Sequence, residues 1–272
     1  PLTLEESIRD HQQVMAWYGQ RGIPVELNEP HHWGMRDASD VVFVVSAYLS
    51  AYNAKAFGVR DYIAQLMFNS PPFVSDGMDL AKMLAILEML APLESPDFRI
   101  WRQTRTGLLS YPLEDNAARA HLATSVYLQM ALRPHIVHVV GHTEADHAAT
   151  AGDVIAASLA ARRSIENALA GQPDMTVDPK IQARKKHLID QVQITLQAIR
   201  NLAGESVGDP LTNPAILAKA VKLGILDAPQ LKNNPFAPGA IRTRVVDGAC
   251  EAVDENGNII SEQERLQGFF KE

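Results

Sequence analysis

The densest run of chemistry-bearing residues is Ile136 to Ala149, I-V-H-V-V-G-H-T-E-A-D-H-A-A. Its apolar start has the pattern of a buried parallel strand. It then turns to His142, Glu144, Asp146 and His147 before a helical pattern resumes. Ionisable residues where a strand gives way to a helix occupy the place at which α/β proteins hold their chemistry. Imidazoles and carboxylates there suit ligand contact, helix capping, or ligation of a divalent metal by His142, Glu144 and His147. His138, inside the strand, is the weaker ligand candidate, and the spacing matches no named zinc signature.

Three other segments share that setting. Asn28-Glu29-Pro30-His31-His32-Trp33-Gly34 reads as a polar loop after a short apolar run. Glu29 suits a carboxylate at a binding mouth or a cap for the next helix; His31 and His32 beside Trp33 suit a flat ligand or a small substrate. Asn69-Ser70-Pro71-Pro72 closes a second run. Arg102, Gln103 and Arg105 form a donor-rich strand end suited to carboxylates or phosphates, or to ion pairs with Glu114 or Asp115. Four polar strand ends in a row predict one shared mouth lined by Glu29, Asn69, Arg102 and Glu144.

The elements that must position these groups alternate. Thr3 and Glu6 form a capping box for a helix to about Gln20. Strands are expected at Ile23–Leu27, Val59–Met67, Phe98–Thr104 and Ile136–Gly141. Helices are expected at about Ala38–Ala56, Met78–Leu90, Leu113–Met130 and Ala151–Leu169. Four strands separated by long helices imply βα units and a parallel sheet. Beyond about residue 170 the pattern changes. Asp178-Pro179 and Asn213-Pro214 start helices, Asp227–Gly239 is a Pro/Asn-rich loop, and Val245–Val253 with Asn256-Gly257 and Asn258–Ile260 suggests a hairpin. Ser261 and Glu264 cap a last short helix. The expected fold is therefore α/β: a TIM-barrel-like half-barrel over residues 1–170, then a helical extension and wrapping tail over 171–272. A half-barrel leaves two sheet edges unpaired, so a second chain or copy is expected to complete it.

The 272 residues carry a net charge of −7 and 46% hydrophobic residues. That acidic balance argues against nucleic acid as a partner. No apolar run is long enough to span a bilayer, and the opening Pro1–Glu6 reads as neither signal nor transit peptide. A cytoplasmic home is expected. Cys250 is the only cysteine, which rules out an internal disulfide and a Cys-rich zinc site; it and methionines such as Met83 and Met89 read as core. Asp79 reads as a helix-start charge, and Arg242 and Arg244 as residues holding the tail to the barrel.

The order of features resembles the catalytic (epsilon) subunit of the coenzyme-B12-dependent glutamate mutase, or methylaspartate mutase, family. Leu4-Glu5-Glu6-Ser7-Ile8-Arg9, Gln20-Arg21-Gly22 and Asn28-Glu29-Pro30 are similar to its "-SIR-", "-RG-" and "-REP-" landmarks. Phe57-Gly58-Val59-Arg60 is similar to "-QGVK-", and Ile136–Ala145 to a strand ending in "-KTPHEA-". Gly224–Pro229 and Asn233–Ala249 resemble the family's tail. The resemblance spans most of this chain and the C-terminal part of a family member. It implies a (β/α)₈ barrel capping a separate cobalamin-binding subunit, adenosylcobalamin as cofactor, and a radical carbon-skeleton rearrangement of a small amino or carboxylic acid. By position Glu144 matches the glutamate that holds the adenosyl ribose and is the implied catalytic residue. Asn69, Arg102, Gln103, Arg105 and His142 are the further cofactor-binding candidates, and Glu29, His31 and His32 the substrate-binding ones. The family lysine falls on Val140, and its substrate-carboxylate arginines lie mostly upstream. Asp-x-His-x-x-Gly does not occur here, so a partner chain would supply the lower cobalamin ligand. The alternatives are a non-catalytic structural or regulatory partner with a mutase-like fold, favoured by Val140, and a metal-dependent lyase or hydrolase.

Overall fold

The computed structural model describes residues 2–204 and 208–269. The first helix, α1 (Leu4–Gly19), starts at the predicted capping box, with Thr3 and Glu6 each satisfying the other's backbone N–H. Strand β1 (Val25–Leu27) follows. The expected polar loop is instead a short helix, α2 (Glu29–Gly34), with Pro30 in its first turn. Proline is preorganised for that position and lacks only an N–H that would be unpaired anyway. Next come α3 (Asp40–Ala56), β2 (Asp61–Phe68), α4 (Asp76–Leu90), β3 (Arg99–Thr106), α5 (Asp115–Gln129), β4 (Ile136–His138) and α6 (Ala151–Leu169). Arg105, expected in a loop, lies within β3, because β3 stays paired with β2 as far as Thr106 opposite Phe68. Strand β4 stops at His138, short of the expected Gly141.

The four strands form one parallel sheet in the order β1-β2-β3-β4. Right-handed crossovers that always step to the next strand in the same direction lay the long connecting helices α3, α4 and α5 on the same face. Tyr62, Ala64, Leu66 and Phe68 of β2 point to that face and are buried. They join α3 residues such as Val42 and Val45 and α4 residues such as Leu80, Met83 and Ile86 in one core. A smaller apolar cluster, including Leu122, Val126, Val140 and Ala157, lies between α5 and α6. The architecture is thus mixed α/β with an open, singly wound parallel sheet.

The later segment packs on the same core. Helix α7 (Pro179–Arg200) is capped by Asp178 and contributes Leu188, Val192, Leu196 and Ile199 to it. Helix α8 (Pro214–Lys222), capped by Asn213, packs on α1. The hairpin is β5 (Thr243–Val246) and β6 (Ala249–Ala252). Its turn is Asp247-Gly248, with φ of 49° and 82°, not the predicted Asn256-Gly257. An Asp-Gly pair tolerates the two positive φ values a tight hairpin needs. Asn256-Gly257 makes a second turn that closes a single bridge between Val253 and Ile259. Helix α9 (Glu262–Arg265) begins at the predicted Ser261/Glu264 capping box. Asp40 ties the parts together: it accepts from the backbone N–H of Cys250 at 3.2 Å and pairs with Arg184 of α7 at 2.9 Å. No helix among the described residues is long and apolar enough to cross a membrane.

Candidate functional site

Strand side chains alternate between sheet faces, and parallel partners share a face. The face away from the helices therefore carries Glu26 of β1, Ile63 and Gln65 of β2, Trp101, Gln103 and Arg105 of β3, and Ile136 and His138 of β4. Trp101 and Ile136 are exposed on it. Glu26 is its centre: one carboxylate oxygen accepts from Gln65 Nε2 at 2.7 Å and the other from Gln103 Nε2 at 2.9 Å. Gln65 Oε1 in turn lies 3.1 Å from His31 Nδ1. These bonds span three strands and α2 and orient every carboxamide.

Charge concentrates at the carboxyl ends of the strands. Arg105 is lowered by burial, against the opposing pull of Glu26, Glu144 and Tyr111. Its Nε is buried without a hydrogen-bond partner among the described residues. Burial, and then the Arg105 charge, push His31 down to about 4. His138 is also lowered, first by burial and then by Arg105, with Glu26 and Glu144 acting against it. The face thus presents the Arg105 guanidinium, the Glu26 carboxyl group, two imidazoles lowered by burial and two carboxamides, with Glu144 acting on Arg105 from beyond the strand end. That set can bind a small zwitterion or hydroxy acid, with Arg105 for a carboxylate and Glu26 or Glu144 for a donor. A neutral imidazole can also accept a proton.

The residues expected at a common mouth are sorted onto different surfaces. Helix α2 divides its own: Glu29 and His31 are two residues apart, about 200° around a helix. His31 turns to the sheet, Glu29 turns with Trp33 into a pocket against α1 and α3, and His32 is exposed. Strand alternation divides the β3 group in the same way. Gln103 and Arg105 face the open side, whereas Arg102 lies on the helix side. Arg102 Nε and Nη2 donate to the Arg133 carbonyl at 3.1 and 2.8 Å rather than pairing with Glu114 or Asp115. Asn69 is buried, donating its backbone N–H to Asp79 and accepting from Ser125 Oγ at 2.6 Å. His142 is buried, with Nε2 3.6 Å from Asp115 and 3.9 Å from Asp153, while Glu144 and His147 are exposed. Among the described residues no group of three or more His, Cys, Asp or Glu could hold a metal ion.

Of the predicted set, then, His31, Gln103, Arg105 and Glu144 are grouped by the fold. Glu26, Gln65 and His138 join them without having been predicted. The signal was available as polar residues at every second position, Gln103 and Arg105 on β3 and Gln65 on β2. No protein-family model matches the chain, and no curated protein is similar enough to be matched.

Proposed function

We propose that this chain is the barrel part of an adenosylcobalamin-dependent carbon-skeleton mutase, an isomerase acting on a small amino or carboxylic acid. The observation that carries the reading is the open polar sheet face with the buried, unpartnered Arg105 Nε at its carboxyl end, where Glu144 acts on the guanidinium's charge. A singly wound βα sheet is the architecture of a barrel wall, and barrel chemistry sits at that end. The residues fit the cofactor's polar parts. The exposed Glu144 carboxylate can accept from the ribose hydroxyls, and the unpartnered Arg105 Nε calls for an acceptor such as a substrate carboxylate or a corrin side-chain carbonyl. When bound, the cofactor supplies the radical that starts hydrogen transfer. This chain's groups bind and orient: Gln103 and Gln65 hold Glu26 in place, Arg105 holds a carboxylate, and His31 and His138, both lowered by burial and Arg105, leave the guanidinium as the cationic anchor. A second chain or copy would complete the barrel, and a cobalamin-binding subunit would bring the lower ligand.

A second reading, a non-catalytic partner that keeps the fold, is favoured by Val140. At the position of the family lysine it is buried against α5 and α6, and its carbonyl accepts from Tyr111 Oη at 2.8 Å. One experiment separates the two. The chain is combined with a barrel complement, a cobalamin-binding subunit and adenosylcobalamin, and small amino and carboxylic acids are added in turn. The mutase reading expects a substrate-dependent change in the cobalamin visible spectrum that Glu144→Gln reduces while assembly persists. Stable assembly with no spectral response to any such acid would establish the scaffold reading.

A further inference from the structure

Glu29 belongs to a separate site. It lies in a pocket of about 270 Å³ between α1, α2, α3 and α8. The walls are mainly apolar, with Ile8, Met15, Trp33, Leu49 and Val221 among them. One oxygen of Glu29, Oε2, is buried and has no hydrogen-bond partner among the described residues. None of the polar side chains that line the pocket, among them Ser7, His11, Gln12, Ser46 and Ser50, donates to that oxygen. Gln12 donates to Asn53 and to the Thr212 carbonyl, both at 2.8 Å, and Ser46 donates to the Phe43 carbonyl at 3.0 Å. A carboxylate oxygen shielded from water and left without a donor is costly. An apolar cavity with one oriented polar group is the usual form of a small-molecule site.

We propose that this pocket binds a small aliphatic primary amine, with its ammonium on Glu29 Oε2 and its hydrocarbon against Leu49 and Val221. The charge of the carboxylate selects a cationic head, and the apolar walls select a hydrocarbon tail. The volume lies just below the usual range of about 300–1,000 Å³ for ligand pockets, so the tail is short and branched rather than long. Because α2 separates Glu29 from His31, occupancy here is independent of the sheet face and of the mutase reading.

The test uses isoamylamine as the probe and isoamyl alcohol as its uncharged counterpart, titrated into the full chain and followed by methyl NMR. Saturable shifts centred on Leu49 and Val221 are expected, with the alcohol binding at least ~10-fold more weakly. That factor follows from a charge-assisted hydrogen bond of about 1.5–3 kcal/mol. Glu29→Gln is expected to weaken the amine by a similar factor and leave the alcohol unchanged, while Gln103→Ala on the sheet face binds the amine as the wild type does. No saturable shift, shifts centred elsewhere, or equal affinity for amine and alcohol would overturn the proposal. Should Glu29→Gln fail to fold, the amine-to-alcohol comparison on the wild-type chain decides the matter alone.

Discussion

Gln103 of β3 donates to Glu26 of β1 at 2.9 Å, across the intervening strand β2. The other oxygen of Glu26 receives Gln65 at 2.7 Å, so one carboxylate cross-links three strands on the open face. Glu26→Ala removes the acceptor and leaves the buried Gln65 and Gln103 amides each short of a partner. The expected loss is about 1–3 kcal/mol, seen as a fall of a few degrees in Tm by circular dichroism. Glu26→Gln, which retains one acceptor, is expected to lose less. Equal stability of Glu26→Ala and wild type would remove this network from the account of the sheet.

His31 sets an acid limit on stability. Burial and Arg105 push its imidazole down to about 4, against about 6.5 in an unfolded chain. The unfolded state therefore binds more protons between those two values, and stability rises with pH across that window. The contribution is complete above about 6.5 and disappears as pH falls towards 4. A shift of this size amounts to at most about 3 kcal/mol. His31→Gln is expected to flatten the pH dependence of the urea midpoint between pH 4 and 6.5, and an unchanged slope in that variant would assign the acid sensitivity elsewhere.

The order of strands and helices was legible because long amphipathic segments alternate with short apolar ones, and because capping pairs such as Thr3/Glu6 and Ser261/Glu264 act locally. The site was legible only in part. A run of polar residues identifies a strand end but does not say which face each side chain takes. At Glu29/His31 that depended on an unrecognised helical turn begun by Pro30. At Arg102/Gln103 it depended on the strand continuing to Thr106, which is a property of pairing with β2 rather than of β3 itself. Glu26 was missed because its partners, Gln65 and Gln103, lie 39 and 77 residues away.

The ion pairs beneath the sheet are structural. Lys82 is fully buried, with Nζ 2.8 Å from Asp79 Oδ1, 3.3 Å from Asp40 Oδ1 and 2.5 Å from the Ser70 carbonyl. Lys82→Met keeps the volume but removes the ammonium from Asp79, which keeps only the Asn69 N–H, and from Asp40, which keeps Arg184 and the Cys250 N–H, for an expected loss of about 3–5 kcal/mol. Adding Asp79→Asn to Lys82→Met is expected to recover part of it, measured by urea unfolding. Burial works to lower the Lys82 pKa, but Asp40 and Asp79 overcome it and the net shift is upward. Its stabilisation is therefore present below about pH 10.4, the unfolded value, and is lost only as pH rises further. Wild-type stability carried by this lysine should thus be insensitive to pH through the neutral range.

Arg105 makes the sharpest functional prediction, since burial at the end of the open face lowers it while Glu26 and Glu144 pull the other way. Arg105→Met removes the cationic anchor from the end of the open face. Affinity for small carboxylic or amino acids, measured calorimetrically on the assembled protein, is expected to fall about 10-fold or more, the loss of one charge-assisted contact. Arg105→Lys is expected to recover charge but not the two-pronged geometry of the guanidinium, and so to restore only part of that affinity. Adding Glu144→Gln to Arg105→Met is expected to leave acid binding as weak as in Arg105→Met alone. If Arg105→Met instead bound such acids as tightly as the wild type, the guanidinium would have no part in recognition and the ligand site would have to lie away from this face.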